Sequence, residues 1–249
     1  GAGNFNGDLS LLGTPLNDIV VGAPDINKVF VVPGNSVWKD SAQVTIDLTD
    51  ESHLSAWNVL SVEADSGTIG EGELFGFSAI GAGNVILDND GEGQQYDDIA
   101  ISKTMEDSAV YVVKGRSLDG GTTVTISNAL TGEGTGDAET VRLQTSGPGP
   151  LAWFGYELGG GSDLDGDGID DILVSHQDLL NETDTQMYVF FGSAIVESIG
   201  TSLSLGDTQN LGGGVHVSAN GIRFDVDRRA VSFSANFDNA PSATTDSVE

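Results

Sequence analysis

The side chains best suited to chemistry in this 249-residue chain stand in one short stretch, Asp163-Leu164-Asp165-Gly166-Asp167-Gly168-Ile169-Asp170-Asp171. Carboxylates occupy its first, third, fifth and ninth places with glycines between them, so the loop can fold inward and present hard oxygens to one point. Ca²⁺ takes about six to eight oxygen ligands, and the alternation Asp-x-Asp-x-Asp-Gly offers three. An acidic, solvated turn is the plain alternative. An EF-hand is rejected, because that loop needs Glu at its twelfth place and a helix on either side. The twelfth residue here is Val174, at the end of the apolar run Ile172-Leu173-Val174, so the loop is expected to join two β-strands.

Other chemistries find little support. The three histidines, His53, His176 and His216, have no metal-binding spacing, and no Gly-x-Ser-x-Gly elbow occurs. Gly81-Ala82-Gly83 and Gly159-Gly160-Gly161 lack the Lys-Ser/Thr and the helix of a phosphate loop. The pairs Asp97-Asp98 and Asp170-Asp171 could serve as acid and base on a glycoside, but their place at the end of acidic loops favours metal ligation. No enzymatic activity is expected. There is no cysteine, hence no disulfide and no thiolate site. Asp and Glu number 38 against 9 Lys and Arg, a formal net charge of -29. Such a surface repels nucleic acid and anionic membranes. Three Ca²⁺ ions would offset only a small part of it, and a high-salt or marine extracellular setting is expected to account for the rest. No apolar stretch reaches the length of a membrane span, and no signal peptide is recognised.

The elements that must position the loop recur along the chain. Asn4-Phe5-Asn6-Gly7-Asp8 with Asn17-Asp18, and Asp88-Asn89-Asp90-Gly91-Glu92 with Asp97-Asp98, repeat the pattern with insertions, and each final acid precedes an apolar strand. A second strand and a glycine follow each time: Val29–Val32 with Gly34, Val110–Val113 with Gly115, and Tyr188–Phe191 with Gly192. More polar strands are then expected at Gln43–Ile46, Thr123–Ile126 and Ser202–Leu205, and opening strands at Leu74-Phe75-Gly76-Phe77 and Trp153-Phe154-Gly155-Tyr156. Units with four strands each read as an all-β fold of propeller-type blades. The expected boundaries are 1–58, 59–138 and 139–206, followed by a divergent β segment over 207–249.

Phe75-Gly76, Phe154-Gly155, Gly22-Ala23-Pro24 and the Asp loops resemble FG-GAP repeats, the blades of the integrin α-subunit β-propeller. Only the first unit keeps Gly-Ala-Pro; Ser102-Lys103-Thr104 and Ser175-His176-Gln177 replace it in the others. The resemblance implies Ca²⁺ held by Asp163, Asp165, Asp167 and Asp171 with the backbone carbonyl of Ile169. Place by place, it implies a second site at Asp88, Asp90, Glu92 and Asp98. A third falls at Asn4, Asn6, Asp8 and Asp18, the weakest because two of its ligands are neutral. It also implies an extracellular module, secreted or at the cell surface, that binds a protein or glycan in adhesion. Three units without a Phe-Gly strand for the first are expected to make an incomplete propeller, or part of a larger one, completed by other copies or other chains. Two other classes stay open: a subunit of a surface sheath, filament or layer, and an accessory region of a Ca²⁺-dependent polysaccharide-active enzyme.

Overall fold

The computed structural model describes residues 1–40, 43–64, 72–87, 96–105, 108–117, 123–126, 140–145, 152–178, 184–196, 202–205, 216–217 and 230–236. They are mostly β-strand, in three sheets, with two short α-helices, Glu51–Ala56 and Gly192–Val196, and two 3-10 turns, Pro24–Ile26 and Ser36–Asp40. The first sheet runs β1 (Ile19–Ala23), β2 (Lys28–Val32) and β3 (Leu60–Ala64), with β7 (Thr123–Ile126) outermost. The second runs β4 (Phe75–Gly83), β5 (Asp98–Lys103), β6 (Ala109–Val113), β8 (Thr140–Thr145) and β12 (Ser202–Leu205). The third runs β9 (Ala152–Ser162), β10 (Asp171–Asp178), β11 (Asp184–Phe190), β14 (Ala230–Asn236) and β13 (His216–Val217). Valine, isoleucine and aromatic residues crowd β2, β6 and β10, as suits strands packed on both faces.

The expected all-β class therefore holds, while the pairing departs from the sequence reading at the third strand of each unit. Gln43–Ile46 belongs to no strand. β7 and β12 are strands, yet each joins the sheet before its own, parallel to β3 and β8 respectively. The third strands in the antiparallel series are β3, β8 and β14. Periodicity marks a segment as a strand without saying which edge it meets, since the choice is made by contacts distant in sequence. The described residues show no closed ring of sheets.

The second sheet lies between the other two. Val29, Val31 and Val62 of the first sheet pack on Phe75, Ile99, Ile101 and Tyr111 of the second. Ala100, Val110 and Val112, on the other face of the second, pack on Phe154, Ile172, Val174 and Phe190 of the third. The two Phe-Gly pairs act at these seams. Phe75 meets Tyr111 edge-on at 6.0 Å between ring centroids, and Phe154 meets Phe190 likewise at 6.0 Å. Gly76 and Gly155 have φ of +86° and +84°, the left-handed region open to glycine. A Cβ on Gly155 would lie 2.8 Å from Val110 Cγ2 and 2.9 Å from Ser102 Cβ, so the site also lacks room.

The serines that replace Gly-Ala-Pro have a task of their own. The N–H of Ser78 donates to Ser102 Oγ at 2.9 Å, and that of Glu157 donates to Ser175 Oγ at 2.7 Å. Each hydroxyl bonds a backbone donor of the opening strand where its pairing with β5 or β10 is irregular.

Gly155→Ala is expected to destabilise the fold by at least about 1–2 kcal/mol through the left-handed φ alone, with the clash adding to it. A thermal melt of the variant matching the parent's would count against this account of the Phe-Gly pair.

Candidate metal centre

The loop from Asp163 to Asp171 leaves β9 and enters β10, with Ser162 paired to Asp171 at its base. Its own side chains shape it. Asp163 Oδ1 accepts the N–H of Gly166 at 2.6 Å and Oδ2 that of Gly168 at 2.9 Å. Asp165 Oδ1 accepts from Asp167 N–H, and Asp167 Oδ1 from Ile169 N–H, at 3.1 and 2.8 Å. Gly166 and Gly168, at φ of +84° and +90° with open space beside them, are required here by backbone conformation and not by crowding. Asp171 is buried; its Oδ2 accepts from Leu164 N–H at 2.7 Å and its Oδ1 from Gly192 N–H at 2.9 Å.

Asp163, Asp165 and Asp171 each place a carboxylate oxygen within 4.8 Å of the others, the one such trio of acids among the described residues. Asp167 stands outside that trio. Hydrogen bonds from Gly168 and Gly166 hold the Asp163 carboxyl below its ordinary range. Burial raises Asp171 above its ordinary value, and the charges of Asp165 and Asp167 raise it further. Such a trio, all oxygen and all anionic, fits a hard divalent cation, and each carboxylate keeps lone pairs beyond those spent on backbone N–H groups.

The first loop is built differently. Asn4 is buried, its Nδ2 donates to the Asp8 carbonyl at 3.2 Å, and its Oδ1 has no hydrogen-bond partner among the described residues. Asp8 Oδ1 is likewise buried and unpartnered. Asn6 Oδ1 accepts from Asp8 N–H at 3.0 Å. Asp18 Oδ1 accepts from Gly34 N–H at 2.8 Å and Oδ2 from Asn6 N–H at 3.2 Å. Burial pushes the Asp18 carboxyl up to about 6 against the Gly34 hydrogen bond, and the charge of Asp8 adds to the rise.

In the second loop Asp98 is fully buried, and Asp88, Asp90 and Glu92 lie outside the described residues. Asp98 Oδ2 accepts from Val85 and Ile86 N–H at 2.8 and 2.6 Å, and Oδ1 accepts from Gly115 N–H at 2.9 Å. Strand register here sharpens the comparison between loops. Gly3 bridges Asp18, Gly83 pairs with Asp98 and Ser162 with Asp171, so by register Asn84 occupies the place of Asn4 and Asp163.

Two features escaped the sequence reading. The final acid of each loop, Asp18, Asp98 or Asp171, reaches the glycine after the following strand, 16, 17 or 21 residues on, and grips the loop with its other oxygen. The recurring Gly34, Gly115 and Gly192 were visible, but their partners were not. Further, the acid just before ties neighbouring units together. Asp97 Oδ2 accepts from Asn4 N–H at 2.6 Å while Asp97 N–H donates to the Asn4 carbonyl at 3.0 Å. Asp170 and Asn84 repeat the exchange at 2.9 and 3.4 Å. The acid pairs are thereby engaged in holding the fold.

No protein-family model matches the chain, and no curated protein matches it. Among the described residues, no helix is long and apolar enough to cross a membrane.

Asp98→Ala strands three buried N–H groups and is expected to cost several kcal/mol, at about 1–3 kcal/mol for each donor left unpaired. Chemical denaturation of the variant measures it, and a loss under about 1 kcal/mol would contradict the assigned role. Asp18 supplies a pH dependence. Its folded pKa is raised to about 6 from an ordinary 3.8, so its contribution to stability is full below 3.8 and is lost as pH rises through 6. In chelator, Asp18→Asn is expected to flatten that part of the stability profile. An unchanged slope between the two pH values would remove Asp18 as its source.

Proposed function

We propose that the chain is a calcium-binding β-repeat module of the FG-GAP, integrin-like kind, with propeller-type blades, that serves in adhesion to a protein or glycan outside the cell. The convergence of oxygens from Asp163, Asp165 and Asp171 carries the reading. Three carboxylates so close repel one another, and a divalent cation removes that repulsion, so ion binding and folding are coupled. The unpartnered Asn4 Oδ1 and Asp8 Oδ1 add support for the first loop, since a buried acceptor without a donor suits a cation.

Calcium on this reading is structural. Asp171 binds the loop to Gly192 at the start of the second helix, so an ion at the trio fastens one end of the third sheet. The adhesive surface lies elsewhere on the module, and the protein is a binder, not an enzyme. Extracellular placement agrees with weak, oxygen-lined sites that fill at extracellular calcium levels and with the acid-rich composition.

Calcium titration of chelator-treated protein is expected to raise the melting midpoint, by the equivalent of about 2.7 kcal/mol at a hundredfold excess over Kd. The gain grows from pH 5 to pH 7.5, because the ligands must be ionised to bind. Asp163→Asn and Asp165→Asn each reduce it. A midpoint indifferent to both calcium and chelator would sink the reading.

A further inference from the structure

The first unit carries a segment that resembles an edge strand but joins no sheet edge among the described residues. Gln43-Val44-Thr45-Ile46 differs from β7, Thr123-Val124-Thr125-Ile126, at one residue in four. β7 adds parallel to Ser61–Ala64 of the sheet before its own unit, and β12 adds parallel to Arg142–Thr145 in the same way. Gln43–Ile46 lies in the equivalent connection of the first unit, where the described residues hold no earlier sheet, and it is in no strand.

An edge of the matching kind is half open on the third of the described sheets. Pairing of β14 with β11 puts Ser232–Ala235 at the place of Ser61–Ala64 and Arg142–Thr145. β13 covers only Ser232 and Phe233, so Ser234 and Ala235 have no neighbour on that side among the described residues.

Apolar side chains follow the same logic. Ile19 takes the place of Ile99 and Ile172, which are both 0% exposed against a neighbouring sheet, yet Ile19 is 46% exposed. It borders a cavity of about 430 Å³ lined also by Val21, Val32, Trp38, Val44 and Ile46, where Trp38 Nε1 is buried with no acceptor among the described residues. At the opposite end Met187 takes the place of Val29 and Val110, both 0% exposed, and is 40% exposed. The Met187 face is thus the counterpart of a face that two internal seams bury, and so is the Ile19 face, which Trp38, Ile46, Leu48, Leu54 and Trp57 of the same unit cover over Phe30, Val32 and Val59 but leave exposed at Ile19.

We propose that the two ends join between copies of this chain, head to tail. Gln43–Ile46 of one copy adds in parallel to β14 of a second, in place of β13 or beyond it, and the Ile19 face of the first meets the Met187 face of the second. Such a contact is heterologous, so it builds rings or chains of copies. Two copies bring six sheets together, within the four to eight of closed propellers; ring closure rests on the propeller reading, whereas the strand pairing does not. The net charge of -29 opposes association, so salt strengthens it by screening.

Sedimentation velocity of the full chain, over a range of concentrations in high salt, tests the pairing. Mass is expected to rise with concentration. Val44→Pro and Thr45→Pro aim their missing N–H groups at opposite edges, so one of them abolishes the rise. Ile19→Asp weakens it at least about tenfold by burying an unpaired carboxylate. Each variant's monomer is checked by its melt. A peptide of the 43–48 sequence competes with the rise in the parent chain, a readout that needs no variant to fold. Mass that stays monomeric throughout overturns the proposal, and so does association that neither the peptide nor Ile19→Asp disturbs. The readout is mass, so its failure is separate from a failure of the calcium reading, which is read from melting.

Discussion

A carboxylate buried at the head of a strand, with both oxygens bonded to backbone N–H groups, is the constraint on which the rest depends. Burying a charge is costly unless it is compensated, and here the compensation does structural work. Asp18, Asp98 and Asp171 each bond a loop before the strand and a glycine after the next one. The loop, the hairpin and the connection beyond it are therefore fixed relative to one another at a single side chain. Gly34, Gly115 and Gly192 have no room for a Cβ, so the donor can approach that carboxylate closely.

On that frame the sheets stack through small residues and aromatic wedges. Gly76 and Gly155 let the opening strands lie close on the unit before, and Phe75 and Phe154 fill the space beside them. The exchanges between Asp97 and Asn4 and between Asp170 and Asn84 repeat at the two seams, so one unit's acid completes its predecessor's loop. The outer strands β7 and β12 reinforce this by crossing into the preceding sheet. Neighbouring units are thus joined by core, by hydrogen bonds and by strand addition, as expected where each unit buries only part of its apolar surface alone.

Acid excess shapes the polar chemistry. Where the chain places a buried cation it pairs it at once: Lys103 lies 2.8 Å from Glu73. Among the described residues the trio at Asp163, Asp165 and Asp171 has no such partner, and its backbone donors neutralise only part of its charge. In the first loop, asparagine at two places reduces the charge, and burial raises the carboxyls of both Asp8 and Asp18, disfavouring their ionised forms.

Much of this was legible in the sequence. Alternation and β-branched runs marked β1, β2, β5, β6 and β10 because local propensity and core pattern agree there. The spacing of Asp163, Asp165, Asp167 and Asp171 led to an expectation of convergence, since turn chemistry within nine residues is local; Asp163, Asp165 and Asp171 do converge, and Asp167 stands outside. The partners of the buried acids and the ownership of the outer strands were not legible. Gln43–Ile46 and Thr123–Ile126 are almost the same four residues, yet one is a strand and the other is not. A strand exists only where another strand offers its backbone, and that offer comes from distant parts of the chain. The sequence by itself determined which segments favour extension and where the acids gather; only the tertiary structure decided which edges meet and which carboxylates are buried.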